Sequence, residues 1–249
     1  MDSSPARLAP HATLPRYYAD PAQRDRFVRA LFDGGAASYD RVNAIFSLGS
    51  GARYRREALL RAGLAPGQRV LDVATGTGLV AREALALLGQ PGRLVGLDLS
   101  LGMLKAARAN LPIALVQARA EDLPLADASF DLVSMGYALR HVPDLVRAFA
   151  EYRRVLRPGG RVLLLEIDQP ANPFGQAALR FYLGNVVPAL SRFMAGDDSR
   201  EMMRYFWDTI DACVAPAAIE GALAEAGFDE IDCDVQFGIF RAYRARRLA

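Results

Sequence analysis

The chain has little of what several function classes require. Two cysteines, Cys213 and Cys233, in 249 residues cannot build a disulfide framework, and with only His11 and His141 beside them no cluster falls at metal-ligand spacing. A disulfide scaffold and a zinc centre are thereby excluded, and no metal is expected. No run of about 18 apolar residues is present to span a bilayer, and the first twenty residues lack the apolar segment of a secretory signal. Both absences point to a reducing cytoplasm. Charge of one sign is missing as well: 30 basic residues face 28 acidic ones, a formal net charge of +2. That balance supplies no dense basic stripe, so no nucleic-acid partner is expected. Lysine is nearly absent, Lys105 being the single one. We read this as compositional bias toward Arg and Ala, not as guanidinium chemistry.

What remains is an ordinary globular composition, 52% hydrophobic and 23% charged. A length of 249 residues, at roughly 150 per domain, favours one core with attached helices. Residues 1–21 hold four of the fourteen prolines and no apolar period, and are expected to form a flexible leader. Residues 22–63 read as helical cap, interrupted by the Gly- and Ser-rich stretch from Ser47 to Gly51. From Gln68 the pattern changes to short Val- and Leu-rich runs beginning at Arg69, Arg93, Ile113, Phe130 and Arg161. Such runs suit strands buried on both faces, and the stretches 79–89, 100–110 and 144–156 suit crossover helices. The expectation is an α/β fold: a Rossmann-like, mainly parallel sheet with helices on both faces. A mostly helical stretch to about residue 212, a helix near 216–226 and strands near 229–244 complete it.

The sharpest local feature is Val70-Leu-Asp-Val-Ala-Thr-Gly-Thr-Gly-Leu, a strand entering a Gly-x-Gly turn that opens a helix. Glycines there let backbone approach a ligand, and the helix start offers unpaired N–H groups. Asp98 closes the next strand 20 residues after Gly78, the place for a carboxylate that accepts from both ribose hydroxyls. Ala81 stands at the third position of the dinucleotide fingerprint, which tolerates it, so the discriminator is Asp72. A carboxylate inside the strand repels a pyrophosphate but suits the ammonium of a methionine moiety. S-adenosylmethionine therefore fits better than NAD.

With these motifs the chain resembles class I methyltransferases, and within them the ubiquinone and menaquinone biosynthesis C-methyltransferases. The similarity runs from about Phe27 to Arg244. It rests on Phe32-Asp-Gly-Gly-Ala-Ala-Ser-Tyr-Asp with Asn43 and Ser47-Leu-Gly, the Asp72 to Gly78 loop, Asp98-Leu-Ser-Leu-Gly-Met, and Ala120-Glu-Asp-Leu-Pro-Leu. Leu139-Arg-His-Val-Pro-Asp, Arg154-Val-Leu-Arg-Pro-Gly-Gly-Arg and Leu165-Glu-Ile extend it. The resemblance implies a class I methyltransferase domain over 22–249, the last two strands of a seven-stranded sheet, a lid from residues 173–212, and S-adenosylmethionine as cofactor. It implies cofactor contacts from Tyr39 over the sulfonium, Gly76, Thr77 and Gly78 at the methionine part, Asp98 at the ribose and Met103 on the adenine. Arg119 stands where relatives carry Asp or Asn, and Arg has no acceptor to offer, so adenine recognition shifts to the Ala120 backbone. Gly136 replaces a usual Ser, His141 a usual Asn and Tyr54 a usual Trp.

The implied reaction is in-line methyl transfer, in which alignment supplies much of the catalysis. Carbon methylation of a quinol-like ring gains from a base or cation at the ring hydroxyl. Arg140 and His141, after the fourth strand, are the candidates: Arg140 to stabilise an oxyanion, or merely to pair with Asp144; His141 as a general base. Tyr54, Tyr137, Phe181 and Tyr182 are the candidate acceptor contacts, within a wider aromatic set that includes Tyr17, Tyr18, Phe174 and Phe193. The alternatives are an O-, N- or C-methyltransferase of a small secondary metabolite and a catalytically inactive cofactor-binding module. The expected partner is a small aromatic acceptor. The Arg241 to Arg247 cluster leaves a peripheral membrane contact open, and a homodimer is equally open.

Overall fold

Each apolar run from Val70 onward becomes a strand of one sheet: β1 (Val70–Val73), β2 (Leu94–Asp98), β3 (Ala114–Gln117), β4 (Phe130–Gly136) and β5 (Leu156–Ile167), then β6 (Asp229–Gln236) and β7 (Phe240–Arg246). The structure, a computed structural model, describes residues 8–46, 50–170, 172–187 and 197–248. The motif residues Ser47 to Gly49 and the aromatic Phe193 lie outside them. Strand order is β3-β2-β1-β4-β5-β7-β6, parallel throughout except for β7, which runs antiparallel to both neighbours. β5 begins earlier than its apolar run, because Leu156 already pairs with Phe130 before a register shift absorbs the Arg-Pro-Gly-Gly segment.

The helices are α1 (Pro21–Phe46), α2 (Gly51–Arg61), α3 (Leu79–Leu88), α4 (Leu101–Asn110) and α5 (Leu145–Val155), followed by α6 (Pro173–Phe181), α7 (Asp197–Asp211) and α8 (Pro216–Glu225). Side-chain alternation with period two divides the core. Leu163, Leu165 and Ile167 of β5 pack with Leu59 of α2 and Ala81 and Ala84 of α3. Val162 and Leu164 face the other way, onto Phe149 of α5 and Leu223 of α8. The order reverses between β1 and β4, so a crevice opens outside the carboxyl ends of these two strands.

α1 spans that crevice as a strut: Val28, Leu31, Phe32 and Tyr39 pack inward, and a row of polar side chains beside them ties the helix to the loops. Arg24 donates through Nη2 to the carbonyls of Arg140 (3.0 Å) and Val142 (3.1 Å). Asp33 accepts from Ser100 Oγ (2.6 Å) and from the Gly102 amide (2.8 Å), which neutralises the start of α4. Asp40 accepts from Thr77 Oγ1 and pairs with Arg82 at 3.7 Å. At 100° per residue, Asp25, Asp33, Asp40 and Asn43 fall within about 80° of one another.

The expected flexible leader needs correction from Leu8 onward. The Leu8 carbonyl accepts from Leu145 (2.9 Å), that of Pro10 from Val214 (2.8 Å), and the Tyr17 hydroxyl donates to Asp208 (2.6 Å). Prolines remove donors but leave carbonyls free to pair, and Tyr17 and Tyr18 bury their rings against Phe27 and Tyr205. These two tyrosines are therefore consumed by packing, away from any acceptor cavity.

Candidate active site

The loop after β1 is held from below. Asp72 is in register with Ser134 of β4 and is 0% exposed; it accepts from Ser134 Oγ and Thr75 Oγ1, both at 2.7 Å. Burial pushes its carboxyl up to about 6. With both oxygens taken by hydroxyls within the fold, Asp72 shapes the loop and lines neither of the cavities described below. Thr77 is buried on Asp40, and Gly78 (φ +92°) caps α3 with Leu111 against the spot a Cβ would occupy. Both shape the loop from behind its tip. Gly76 is that tip: φ is +57° and open space faces its missing Cβ. Asp98 leans over it, accepting from the amides of Gly76 and Ser100, both at 2.8 Å. Burial, then the nearby Asp33 charge, raises the Asp98 carboxyl to about 6.

Two cavities meet here. The smaller, about 110 Å³, is lined by Gly76, Asp98, Met103, Arg119, Ala120 and Gly136. The larger, about 320 Å³, is mostly apolar, with Tyr54, Ile167, Met203, Phe206 and Phe240 in its walls and Asn43 and Arg55 among them. Tyr39 and Tyr137 line both, and so form the partition. Tyr137 holds φ at +60°, unusual for a bulky residue, fixed by its amide on the Leu165 carbonyl (2.7 Å) and by Arg140 Nη2 on its own carbonyl (3.3 Å).

Arg140 and His141 part company. Arg140 is 0% exposed and lines neither cavity. Its Nε lies 3.3 Å from Glu166 Oε1, and its guanidinium stacks over Phe206 at 4.8 Å. The ion pair expected with Asp144 is thus made with Glu166, because Asp144 is occupied as the N-cap of α5. Burial raises the Glu166 carboxyl above its usual range, with Arg140 opposing the rise. His141 lines the smaller cavity, stacked on Tyr205 (5.5 Å) and edged by Phe32 (5.2 Å). Neither ring nitrogen has a partner, and burial, with Arg140 and Arg24 nearby, holds its pKa well below the usual 6.5. An imidazole this weakly basic, and on the smaller cavity alone, is poorly equipped to draw a proton from an acceptor in the larger one.

Of the expected acceptor contacts, Tyr54 and Tyr137 line the larger cavity. Phe181 does not: it is 64% exposed on α6, which buries no residue at all. Tyr182 begins the π turn after α6 and packs on the core cluster without reaching the cavity. Arg119 does line the smaller cavity, but its guanidinium is held by Asp25 (2.8 Å) and Glu121. Gly136 has a local reason: a Cβ there would meet Val80 Cγ2 at 2.6 Å. Sequence reasoning missed Asp25, Arg55 and Glu166. The helical wheel of α1 and the period-two phase of β5 carry the signal for the first and last. Among the described residues no helix is long and apolar enough to cross a membrane, and no cluster of metal-binding side chains occurs.

The family described as "ubiE/COQ5 methyltransferase family" matches residues 21–245. The chain is 33% identical over 222 residues to the demethylmenaquinone methyltransferase of Symbiobacterium thermophilum, covering 85% of this chain and 88% of that protein. It is 35% identical over 212 residues to the ubiquinone/menaquinone biosynthesis C-methyltransferase UbiE of Hahella chejuensis, covering 82% and 84%. Among solved structures, a SAM-dependent methyltransferase from Thermotoga maritima superposes with a TM-score of 0.62 at 19% identity over 88% of this chain and 99% of that one. Phosphoethanolamine N-methyltransferase 2 of Haemonchus contortus, solved with S-adenosyl-L-methionine, gives 0.63 at 18% identity, covering 91% and 60%. At such identities the two structures speak for the fold alone.

Proposed function

This chain belongs to the ubiE/COQ5 methyltransferase family and is an S-adenosylmethionine-dependent methyltransferase, and from that premise we propose that it methylates a ring carbon of a quinol-like aromatic acceptor. The observation that carries the reading is the pair of adjoining cavities. One has the glycine loop and a carboxylate, the other is apolar and aromatic, and they share Tyr39 and Tyr137.

The residues of the smaller cavity fit the cofactor. Asp98 gives one interaction per oxygen to backbone amides, and each oxygen keeps a lone pair for a ribose hydroxyl. Met103 and the Ala120 backbone would hold the adenine, and Gly76 leaves room for the methionine part. Bound there, S-adenosylmethionine supplies an electrophilic methyl on a sulfonium. The Tyr39 ring, at the partition, attracts such a cation through its π face. Tyr39, Tyr54 and Tyr137 confine the acceptor ring so that its carbon lies in line with that methyl, and alignment of this kind supplies most of the acceleration. Arg140 acts through others: its bond to the Tyr137 carbonyl and its stacking on Phe206 hold two walls of the acceptor cavity.

Three of the four departures from the family pattern, Arg119, Gly136 and His141, line the smaller cavity and not the larger. They bear on the cofactor side, which favours the quinol acceptor over an unrelated secondary metabolite. The test is a deletion strain. Loss of a methylated quinone with build-up of its demethyl form supports the reading; unchanged quinones with loss of another methylated metabolite refute it.

A further inference from the structure

The larger cavity contains a buried cation that no carboxylate among the described residues neutralises. Arg55 of α2 is 5% exposed and lines that cavity beside Tyr39 and Tyr137. Its Nη2 donates to Asn43 Oδ1 (2.8 Å), and its guanidinium carbon lies 5.6 Å from the centre of the Tyr137 ring. Its Nε is buried without an acceptor. Among the described residues no carboxylate pairs with Arg55. The other arginines near the site are all engaged: Arg140 with Glu166, Arg119 with Asp25 and Glu121, Arg24 with two backbone carbonyls. Glu57, two residues along α2, is turned to Arg53 and Arg61. A guanidinium removed from water without a counter-charge is costly to the fold. Such an arrangement persists where a ligand brings the missing negative charge.

We propose that Arg55, held by Asn43, is the binding point for the ionised hydroxyl of the acceptor ring. The inference rests on the reading of the acceptor as a hydroxylated aromatic. The hydroxyl proton leaves to water at the open side of the cavity, and the oxyanion settles on Arg55, which stays protonated throughout. Charge delocalised from oxygen raises electron density at the neighbouring ring carbon. That carbon forms the new bond to methyl as the sulfur–methyl bond breaks, its electron pair staying on sulfur. The ring carbon then releases its hydrogen as a proton, aromaticity returns, and the oxyanion takes a proton back from water. The products are the methylated ring, S-adenosylhomocysteine and one proton. Arg55 is a catalytic residue in this scheme, while Asn43 positions it.

The experiment uses 4-nitrocatechol, whose phenolate absorbs in the visible, as a probe on the full chain saturated with S-adenosylhomocysteine. An opposite charge within about 4–6 Å lowers an acid's pKa by about 1–3 units. The wild type should therefore bind the probe ionised, with its pKa lowered by that amount. Arg55→Gln should return the pKa to the free value and weaken anion binding at least tenfold, and Arg55→Lys should retain part of the shift. Calorimetry with S-adenosylhomocysteine should stay within about twofold of wild type, which shows the variants are folded and the smaller cavity intact. Equal probe pKa values in wild type and Arg55→Gln overturn the proposal, as does failure of the wild type to bind the probe. Turnover of a demethylmenaquinol separates the two readings. If the wild type does not methylate it yet ionises the probe through Arg55, the quinol reading fails and the anion site stands. If methylation proceeds and Arg55→Gln leaves its pH profile unchanged, the Arg55 assignment fails alone.

Discussion

Replacing Asp98 with Asn should separate cofactor binding from folding. The carboxylate accepts from two backbone amides, Gly76 and Ser100, and an amide side chain keeps at most one of these bonds in place. The loss of one charge-assisted bond costs about 1.5–3 kcal/mol. Against this, the Asp98 carboxyl is raised from 3.8 to about 6, so keeping it ionised at pH 7 costs the fold about 3 kcal/mol, which Asn removes. The two effects nearly cancel, and the melting temperature should move by no more than about 4 °C. Affinity has no such offset, since the ribose hydroxyls lose their charged acceptor. Binding of S-adenosylmethionine, read by titration calorimetry, should weaken by roughly tenfold to 150-fold. The wild type should also bind more weakly as pH falls through about 6, where Asp98 gains its proton, and the variant should show a flatter profile. Unchanged affinity at pH 7 in a folded Asp98→Asn protein would refute the argument.

Glu166→Gln leaves Arg140 buried without its counter-charge and should destabilise the fold by about 3–5 kcal/mol, seen in denaturant unfolding; a loss under about 1 kcal/mol contradicts the ion pair as drawn. His141→Asn should leave turnover and its pH profile near wild type, because the imidazole is already neutral and unpartnered; a drop of about 10²-fold would restore the general-base assignment. Gly136→Ser drives a Cβ into Val80 and should cost about 1–3 kcal/mol, with Val80→Ala recovering part of it. In the cofactor-free protein, Asp72 and Asp98 have raised folded-state values, so their contribution to stability is full below about pH 4 and lost as pH rises through about 6. The variant Asp72→Asn should accordingly gain stability relative to wild type between pH 4 and 7; equal changes across that range would contradict the burial argument.

The first five strands were legible because β-branched and leucine runs of that length admit few other structures, and Asp98 and Gly76 because their spacing follows from a strand–turn–helix unit. The two cavities were not. They depend on α1 crossing the carboxyl edge, and that helix reads in sequence as weakly amphipathic, its Val28, Leu31, Phe32 and Tyr39 stripe flanked by Asp25, Asp33, Asp40 and Asn43. Asp72 was visible as a carboxylate but not as one already satisfied, since Ser134 is its neighbour only through β1–β4 register. Arg140 and His141 are adjacent in sequence yet face a buried glutamate and an aromatic box, respectively. Phe181 looked like cavity lining because aromatic residues usually seek cover, but α6 leaves it in solvent.

Methyl transfer to a ring carbon takes place across the partition of Tyr39 and Tyr137 on the proposed reading. The most direct measurement supplies the purified protein with S-adenosylmethionine carrying a ¹³C methyl and with a demethylmenaquinol, then records the product by carbon NMR. The expected product carries a new methyl bonded to an aromatic carbon, formed only with active-site residues intact. A label on oxygen or nitrogen, or no transfer to any aromatic acceptor despite bound cofactor, would contradict it.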